Sequence, residues 1–127
     1  MDELGLSNRV LFKGFVNDEE IPSFYNRADL FVFPSIYEGF GIPALEAMAC
    51  GCPVIASKSG CSPEVVGDAA VLVDPHDPGM LAAAMRDVIE DGGLRRQLID
   101  AGLKRVKKFS WRRCAAQTLA LFGSLNQ

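Results

Sequence analysis

The sequence predicts an α/β domain built on a parallel sheet with flanking helices. Three short apolar runs, at 30–33, 53–57 and 69–73, are separated by segments whose apolar residues recur at helical spacing. The first two runs have little polar alternation, which is typical of strands buried on both faces. Alternation of such strands with helices predicts a parallel sheet with right-handed crossovers.

The first half of the chain predicts one more strand and two helices. The apolar run 10–14 ends on a glycine, so we expect a strand that leaves into a loop. Residues 17–28 begin with polar residues suited to an N-cap and continue at helical spacing. Residues 43–50 predict a second helix, with Pro43 at its first position and Gly51 as its C-terminal cap.

The second half of the chain predicts mostly helix. A one-turn helix is expected at 62–66, ending at Gly67, and a longer helical part over about 78–125. That part divides into stretches at about 78–91, 94–108 and 110–125, with Gly92-Gly93 between the first two and Ser110 capping the third.

The net charge of −3 is distributed unevenly along the 127 residues. Residues 1–93 carry five basic and fifteen acidic side chains, whereas residues 94–113 carry eight basic and one acidic. A basic segment can bind nucleic acid or an anionic membrane, with a steep dependence on salt. Here the basic residues alternate with leucines at helical spacing and no aromatics are interleaved, so a solvated helix face is favoured and no nucleic-acid partner is predicted.

Composition and cysteine spacing exclude several classes of protein. No apolar run approaches the length of a membrane helix, and the start is acidic, so a cytoplasmic location is expected, with peripheral attachment to the inner face of a membrane as the alternative. The four cysteines lack the two-residue gap of zinc sites and the chain has one histidine, His76. We therefore expect free thiols and no metal site.

The segment 34–53 has the features of an anion-binding loop. It begins where a predicted buried strand ends, at the edge where open α/β sheets bind ligands. Gly39 and Gly41 allow close backbone approach, and a helix follows whose first amides and dipole favour phosphate. On this pattern alone, a tight turn with no ligand is an equally good interpretation.

Two glutamates make the segment more informative. Glu38 precedes the glycines, and Glu46 lies one turn into the helix, with seven residues between them. Carboxylates accept hydrogen bonds from sugar hydroxyls, and helix amides bind an anion. The pair can therefore bracket an elongated ligand that has hydroxyls at both ends and a phosphate between them, which describes a nucleotide-sugar.

The segment EGFGIPALEAMACGCPV resembles the E-x7-E motif of the large family 4 of retaining glycosyltransferases. Flanking segments are similar too, among them FKGFV, ADLFVFPS and PEVV, so that the likeness covers about residues 9–122. It implies a Rossmann-like parallel sheet with flanking helices, as in part of the C-terminal, donor-binding domain of a GT-B enzyme. The implied reaction is transfer of a hexose from a UDP-, GDP- or ADP-sugar with retention at the anomeric carbon.

The resemblance also implies residue roles. Glu38 would be catalytic, bonding donor-sugar hydroxyls and stabilising positive charge at the anomeric carbon, and Glu46 would hold the ribose. The family generally needs no metal, and no cofactor is expected. The implied donor-binding residues are Gly14, Phe15 and Val16 against the base, together with Tyr37, Gly39, Phe40, Gly41, Ile42 and Glu46, although Tyr37 and Phe40 are equally well explained as core.

Part of the family pattern has no counterpart in these residues. The acceptor-binding domain, and the first strands of the donor domain with their diphosphate-gripping Arg and Lys, have no match. The strand at 10–14 would then lack a neighbouring strand, so we expect a domain of marginal stability or one that self-associates. We also expect the domain to be inactive alone. The alternatives are a non-catalytic nucleotide-sugar-binding module, or a structural remnant, that pairs with a separate acceptor-domain chain.

Overall fold

The structure is a computed structural model and describes residues 4–125. It contains three strands and six helices, in an order that alternates through the first two thirds of the chain and is helical thereafter. In chain order these elements are α1 (Ile21–Arg27), β1 (Phe31–Phe33), α2 (Ile42–Ala49), β2 (Val54–Ser57), α3 (Ser62–Val66), β3 (Ala70–Val73), α4 (Pro78–Glu90), α5 (Gly92–Val106) and α6 (Trp111–Leu125).

The strands form one parallel sheet in the order β1-β2-β3. Phe31 pairs with Val54, and Val54 pairs with Ala70 on its other side. Successive residues of β2 point to opposite faces. Val54 packs in a cluster with α2, whereas Ile55 packs in a second cluster with α4 and α5. The sheet is therefore covered on both faces, which confirms the predicted Rossmann-like arrangement.

The central strand is fully buried as predicted, whereas β1 is only partly buried. All four residues of β2 are fully buried, whereas the three residues of β1 are only half-buried. In the described sheet β1 is an edge strand, so one of its sides has no neighbouring strand to shield it. Phe31 and Phe33 pack against one core cluster and Leu30 and Val32 against the other, so 30–33 is covered on both faces as predicted, but its burial is partial because β1 is an edge strand.

The predicted strand at 10–14 does not form. Val10, Leu11 and Phe12 lie in irregular backbone and expose 41%, 75% and 79% of their surface. Isolated strands have no internal hydrogen bonds and need a paired neighbour. No strand of the described chain lies beside this segment.

Helix ends follow local sequence closely. α2 begins at Ile42, one residue before the predicted start, and Gly51 adopts φ +71° just after it. The amide of Gly51 donates to the Met48 carbonyl, and that of Cys52 to the Ala47 carbonyl, which is a Schellman ending. The predicted role of Gly51 is thus confirmed.

The helical part differs from prediction at one junction. Gly92 and Gly93 do not separate α4 from α5 but begin α5, because the Asp91 carboxylate accepts from the amides of Gly93 and Leu94 and so caps the helix. The predicted cap of α6 is confirmed, since Ser110 Oγ accepts from the Arg113 amide at 3.1 Å.

Candidate functional site

The loop after β1 carries Glu38 and is supported by the loop after β2. Cys61 Sγ donates to the Glu38 carbonyl at 3.2 Å, and Gly60 packs against the backbone of Ile36 and Glu38. Within the loop, Ser35 Oγ donates to the Tyr37 carbonyl at 3.1 Å. The half-buried Glu38 is therefore held by its backbone, while its carboxylate makes no hydrogen bond or ion pair within residues 4–125.

Gly41 makes the turn from this loop into α2. Its φ of +88° is in the left-handed region, and a Cβ at this position would lie 3.6 Å from the Phe33 ring and 4.0 Å from Glu38 Cγ. A side chain would therefore be strained by its backbone conformation, although its Cβ would make only ordinary van der Waals contacts. The turn brings the start of α2 next to the Glu38 side chain.

The start of α2 presents unpaired donors. The amides of Gly39, Phe40, Gly41 and Ile42 donate no hydrogen bond to any described residue, and Pro43 has no N–H. Gly41 instead accepts, from the amide of Ala44 at 3.1 Å. Four consecutive free N–H groups at the positive end of the helix dipole are suited to an anion.

Glu46 projects from α2 and meets α1. Tyr25 Oη donates to Glu46 Oε2 at 3.4 Å. Burial of the phenol, followed by the charge and hydrogen bond of Glu46, raises the pKa of Tyr25 to about 12. The two side chains share a cavity of about 350 Å³ with Asp18, Ile21, Pro22, Ala49 and Cys50.

The two aromatic residues of the loop have different surroundings. Phe40 packs edge-on against Phe109, with ring centroids 5.7 Å apart, and both line an apolar cavity of about 360 Å³ between α2 and the start of α6. Tyr37 is 89% exposed. Phe40 therefore packs against another part of the domain, whereas Tyr37 is exposed to solvent.

The segment predicted to contact the base is not joined to the loop at 37–42. Gly14 has φ +64°, Phe15 is 90% exposed and Val16 is half-buried. No hydrogen bond or ring contact in the described chain connects these three residues to that loop. The neighbouring Asp18 does reach the cavity at Glu46.

Comparison with known proteins assigns the domain to a family. Residues 1–105 match the family described as Glycosyl transferases group 1. The chain belongs to this family. Over 110 residues this glycosyltransferase domain is 44% identical to O-antigen chain mannosyltransferase B of Escherichia coli. The matched region covers 87% of this chain and 29% of that relative.

Two solved structures resemble the glycosyltransferase domain over nearly its whole length. Sucrose-phosphate synthase from Thermosynechococcus elongatus matches with a TM-score of 0.87 and 38% identity, over 98% of this chain and 32% of that protein. HepE from Anabaena in complex with UDP-glucose matches with a TM-score of 0.87 and 31% identity, over 97% and 34%. The fold is that of GT-B glycosyltransferases, and the chain spans about a third of the length of these three proteins.

The side chains of three basic residues, Lys58, Lys13 and Arg105, have partners in the described structure. Lys58, on the loop after β2, forms an ion pair with Asp74 at 3.0 Å, and Lys13 Nζ lies 5.7 Å from the centroid of the Phe24 ring. The amide of His76, followed by Lys58, holds the pKa of the Asp74 carboxyl below its usual value. Arg105 donates to the carbonyls of Val65 and Glu64 at the end of α3.

The described chain offers neither a cluster of metal-ligand side chains nor a membrane-spanning helix. Across residues 4–125, no three His, Cys, Asp or Glu side chains come together in a group able to hold a metal ion. No helix in that range has both the length and the apolar character needed to cross a bilayer.

The residues that support the two glutamates, Tyr25 and Cys61, are not identified by the sequence alone. Each lies more than twenty residues from the glutamate it contacts. No local pattern encodes such contacts.

Proposed function

We propose that this glycosyltransferase domain binds a nucleotide-sugar donor at the start of α2. The observation that carries the proposal is a run of four free backbone amides at the start of α2, which Glu38 precedes and Glu46 follows along the chain. An anion would occupy the amides, and each carboxylate would accept hydrogen bonds from hydroxyls at one end of the ligand. A nucleoside diphosphate joined to a sugar has these groups in this order.

The same arrangement supports a division of roles. The amides of Gly39, Phe40, Gly41 and Ile42 would hold the diphosphate and stabilise it as it leaves with the charge of the broken bond. Glu46, at the Tyr25 cavity, would bond the ribose hydroxyls. Glu38 would bond the donor sugar and stabilise positive charge at the anomeric carbon during retaining hexosyl transfer.

The relatives support a hexose donor without deciding its base. One solved neighbour is a complex with UDP-glucose, and one curated relative is a mannosyltransferase. We propose a UDP-, GDP- or ADP-hexose, used without a metal or other cofactor. The whole reaction would need an acceptor site outside these residues, so the 127-residue chain is expected to bind donor and to transfer no sugar.

Calorimetric titration of the chain with UDP, GDP and ADP tests this function. We expect one of the three to bind in the presence of EDTA, and Glu46→Ala to weaken that binding by about tenfold to a hundredfold, as expected for losing a hydrogen bond to a charged group. Glu90→Ala, which removes an exposed glutamate at the end of α4, is the matched control and should bind like the wild type.

The outcomes separate clearly. No binding by any of the three nucleotides would overturn the proposal. Equal weakening by Glu46→Ala and Glu90→Ala would place the nucleotide away from α2. Binding that EDTA abolishes would overturn the metal-free part alone.

A further inference from the structure

The hydrogen bond between Tyr25 and Glu46 joins two helices between which β1 lies along the chain. Tyr25 lies on α1 and Glu46 on α2, and the bond from Oη to Oε2 measures 3.4 Å. Among the described residues, no other side chain bonds to the Glu46 carboxylate. The bond uses one carboxylate oxygen and leaves Oε1 as a free acceptor.

The Tyr25 ring is fixed, whereas Glu46 alone would not be. Tyr25 packs edge-on against Phe31 with ring centroids 5.1 Å apart, and it lies against the core cluster that contains α2. Glu46 is exposed, and a free glutamate at such a position samples several rotamers, with an entropic cost when a ligand selects one. A contact to a fixed phenol reduces that cost before a ligand arrives.

We propose that Tyr25 is a positioning residue: its hydroxyl holds the Glu46 carboxylate in the rotamer that accepts hydrogen bonds from ribose hydroxyls in the cavity that both residues line. This inference rests on the proposed function, because it assumes that a nucleotide occupies the cavity. It assigns to α1 a part in donor recognition that does not require α1 to touch the donor.

The test combines a variant with a modified ligand. Tyr25→Phe keeps the ring and its packing on Phe31 and removes only the hydroxyl. The ligands are the ribonucleoside diphosphate that binds the wild type and its 2′,3′-dideoxy counterpart, which lacks the hydroxyls Glu46 would bond. Ser23→Ala is the matched control. It removes a hydroxyl from the same helix, and among residues 4–125 that hydroxyl bonds only to the Glu20 carbonyl.

We expect Tyr25→Phe to weaken binding of the ribonucleotide by about threefold to tenfold, as for the loss of one modest hydrogen bond. Binding of the dideoxy nucleotide should be weaker in the wild type and unchanged by the substitution, because the coupling passes through the ribose hydroxyls. Ser23→Ala should leave both affinities unchanged.

Three results would overturn the inference. Equal loss of affinity for both ligands would mean that Tyr25 acts only on the structure of the domain. No loss for either ligand would mean that Glu46 does not depend on it. Failure of the wild type to bind any nucleotide would overturn the proposed function first and this inference with it, and is distinguished by the wild-type titration alone.

Discussion

The two glutamates of the site owe their environments to residues far away in the chain. Cys61 donates to the Glu38 backbone, and Tyr25 donates to the Glu46 side chain. The first contact fixes where the loop runs and leaves the carboxylate free. The second fixes the carboxylate itself, so the two acidic groups differ in freedom although they belong to one motif.

Ionisation of Tyr25 gives a prediction at the residue scale. The pKa of Tyr25 is raised to about 12, first by burial and then by Glu46. The folded protein therefore keeps a proton that the unfolded chain releases near pH 10, so this group's contribution to stability is lost as pH rises from about 10 to about 12. Tyr25→Phe should lose less stability than the wild type over that range, measured by urea unfolding at each pH.

A difference spectrum isolates the same group. The tyrosinate absorbance of the wild type minus that of Tyr25→Phe reports Tyr25 alone. Glu46→Ala should move its midpoint to lower pH, because a neighbouring negative charge is removed, and Glu90→Ala should not. A midpoint unaffected by Glu46→Ala would contradict the Tyr25–Glu46 contact.

The positions of the motif residues could be predicted from sequence, but their partners could not. Glu38, Gly41 and Glu46 lie on the predicted loop and helix because glycine, proline and helix periodicity are local signals. Tyr25 and Cys61 approach them only when β1 and β2 are paired in the sheet. Contacts between residues so far apart in the chain cannot be predicted from the spacing of residues in a single sequence.

At the scale of elements, α2 is positioned by its contact with α5. Gly102 of α5 is buried, and a Cβ there would lie 3.1 Å from Met48 Cγ and 3.2 Å from Met48 Cβ. Met48 is itself 1% exposed, so neither helix has space to move aside. The absence of a side chain at Gly102 sets how closely the helix that carries Glu46 approaches α5.

Gly102→Ala should therefore destabilise the domain. The steric cost of overpacking is about 1–3 kcal/mol, and it opposes a gain in helix propensity of about 1 kcal/mol, which leaves a net loss of about 1 kcal/mol. Gly123→Ala in α6 is the matched control, because its Cβ would meet nothing within 4 Å, so only the propensity gain of up to about 1 kcal/mol should appear and the variant should be slightly stabilised. Urea unfolding measures both, and a stabilised Gly102→Ala would contradict the close packing.

Helices and strands can be predicted from the sequence where the residues that determine them lie within the same short segment. β2 and the helices follow from apolar runs, glycine and proline, whereas the segment 10–14 has the composition of a strand and does not form one. A strand is completed by its neighbour, so its formation depends on residues elsewhere. The sequence predicts that α5 begins at about residue 94, because two glycines are poor helix formers, whereas the helix begins at Gly92 because Asp91 caps it.

At the scale of the whole molecule, the domain exposes more surface than its size requires. Its accessible surface is 9114 Å², whereas a compact monomer of 13.8 kDa exposes about 6,600 Å². Exposed large apolar side chains are concentrated in two places, the segment 10–15 and the helix α6. Large exposed apolar areas favour association.

The domain is therefore predicted to self-associate. Sedimentation velocity should show a weight-average mass that rises above 13.8 kDa with concentration. Phe12→Asp, in the unpaired segment, should reduce the association, since a charge there opposes burial. A monodisperse monomer at all concentrations would contradict the prediction, and loss of association with Leu119→Asp on α6 instead would assign it to the other surface.

The central claim is that a nucleoside diphosphate binds at the start of α2, and amide chemical-shift mapping tests it most directly. On addition of the nucleotide that binds, the amide signals of Gly39, Phe40, Gly41 and Ile42 should shift most, because their free N–H groups would gain hydrogen bonds. Shifts concentrated instead on the basic residues of α5, with those four amides unmoved, would contradict the claim.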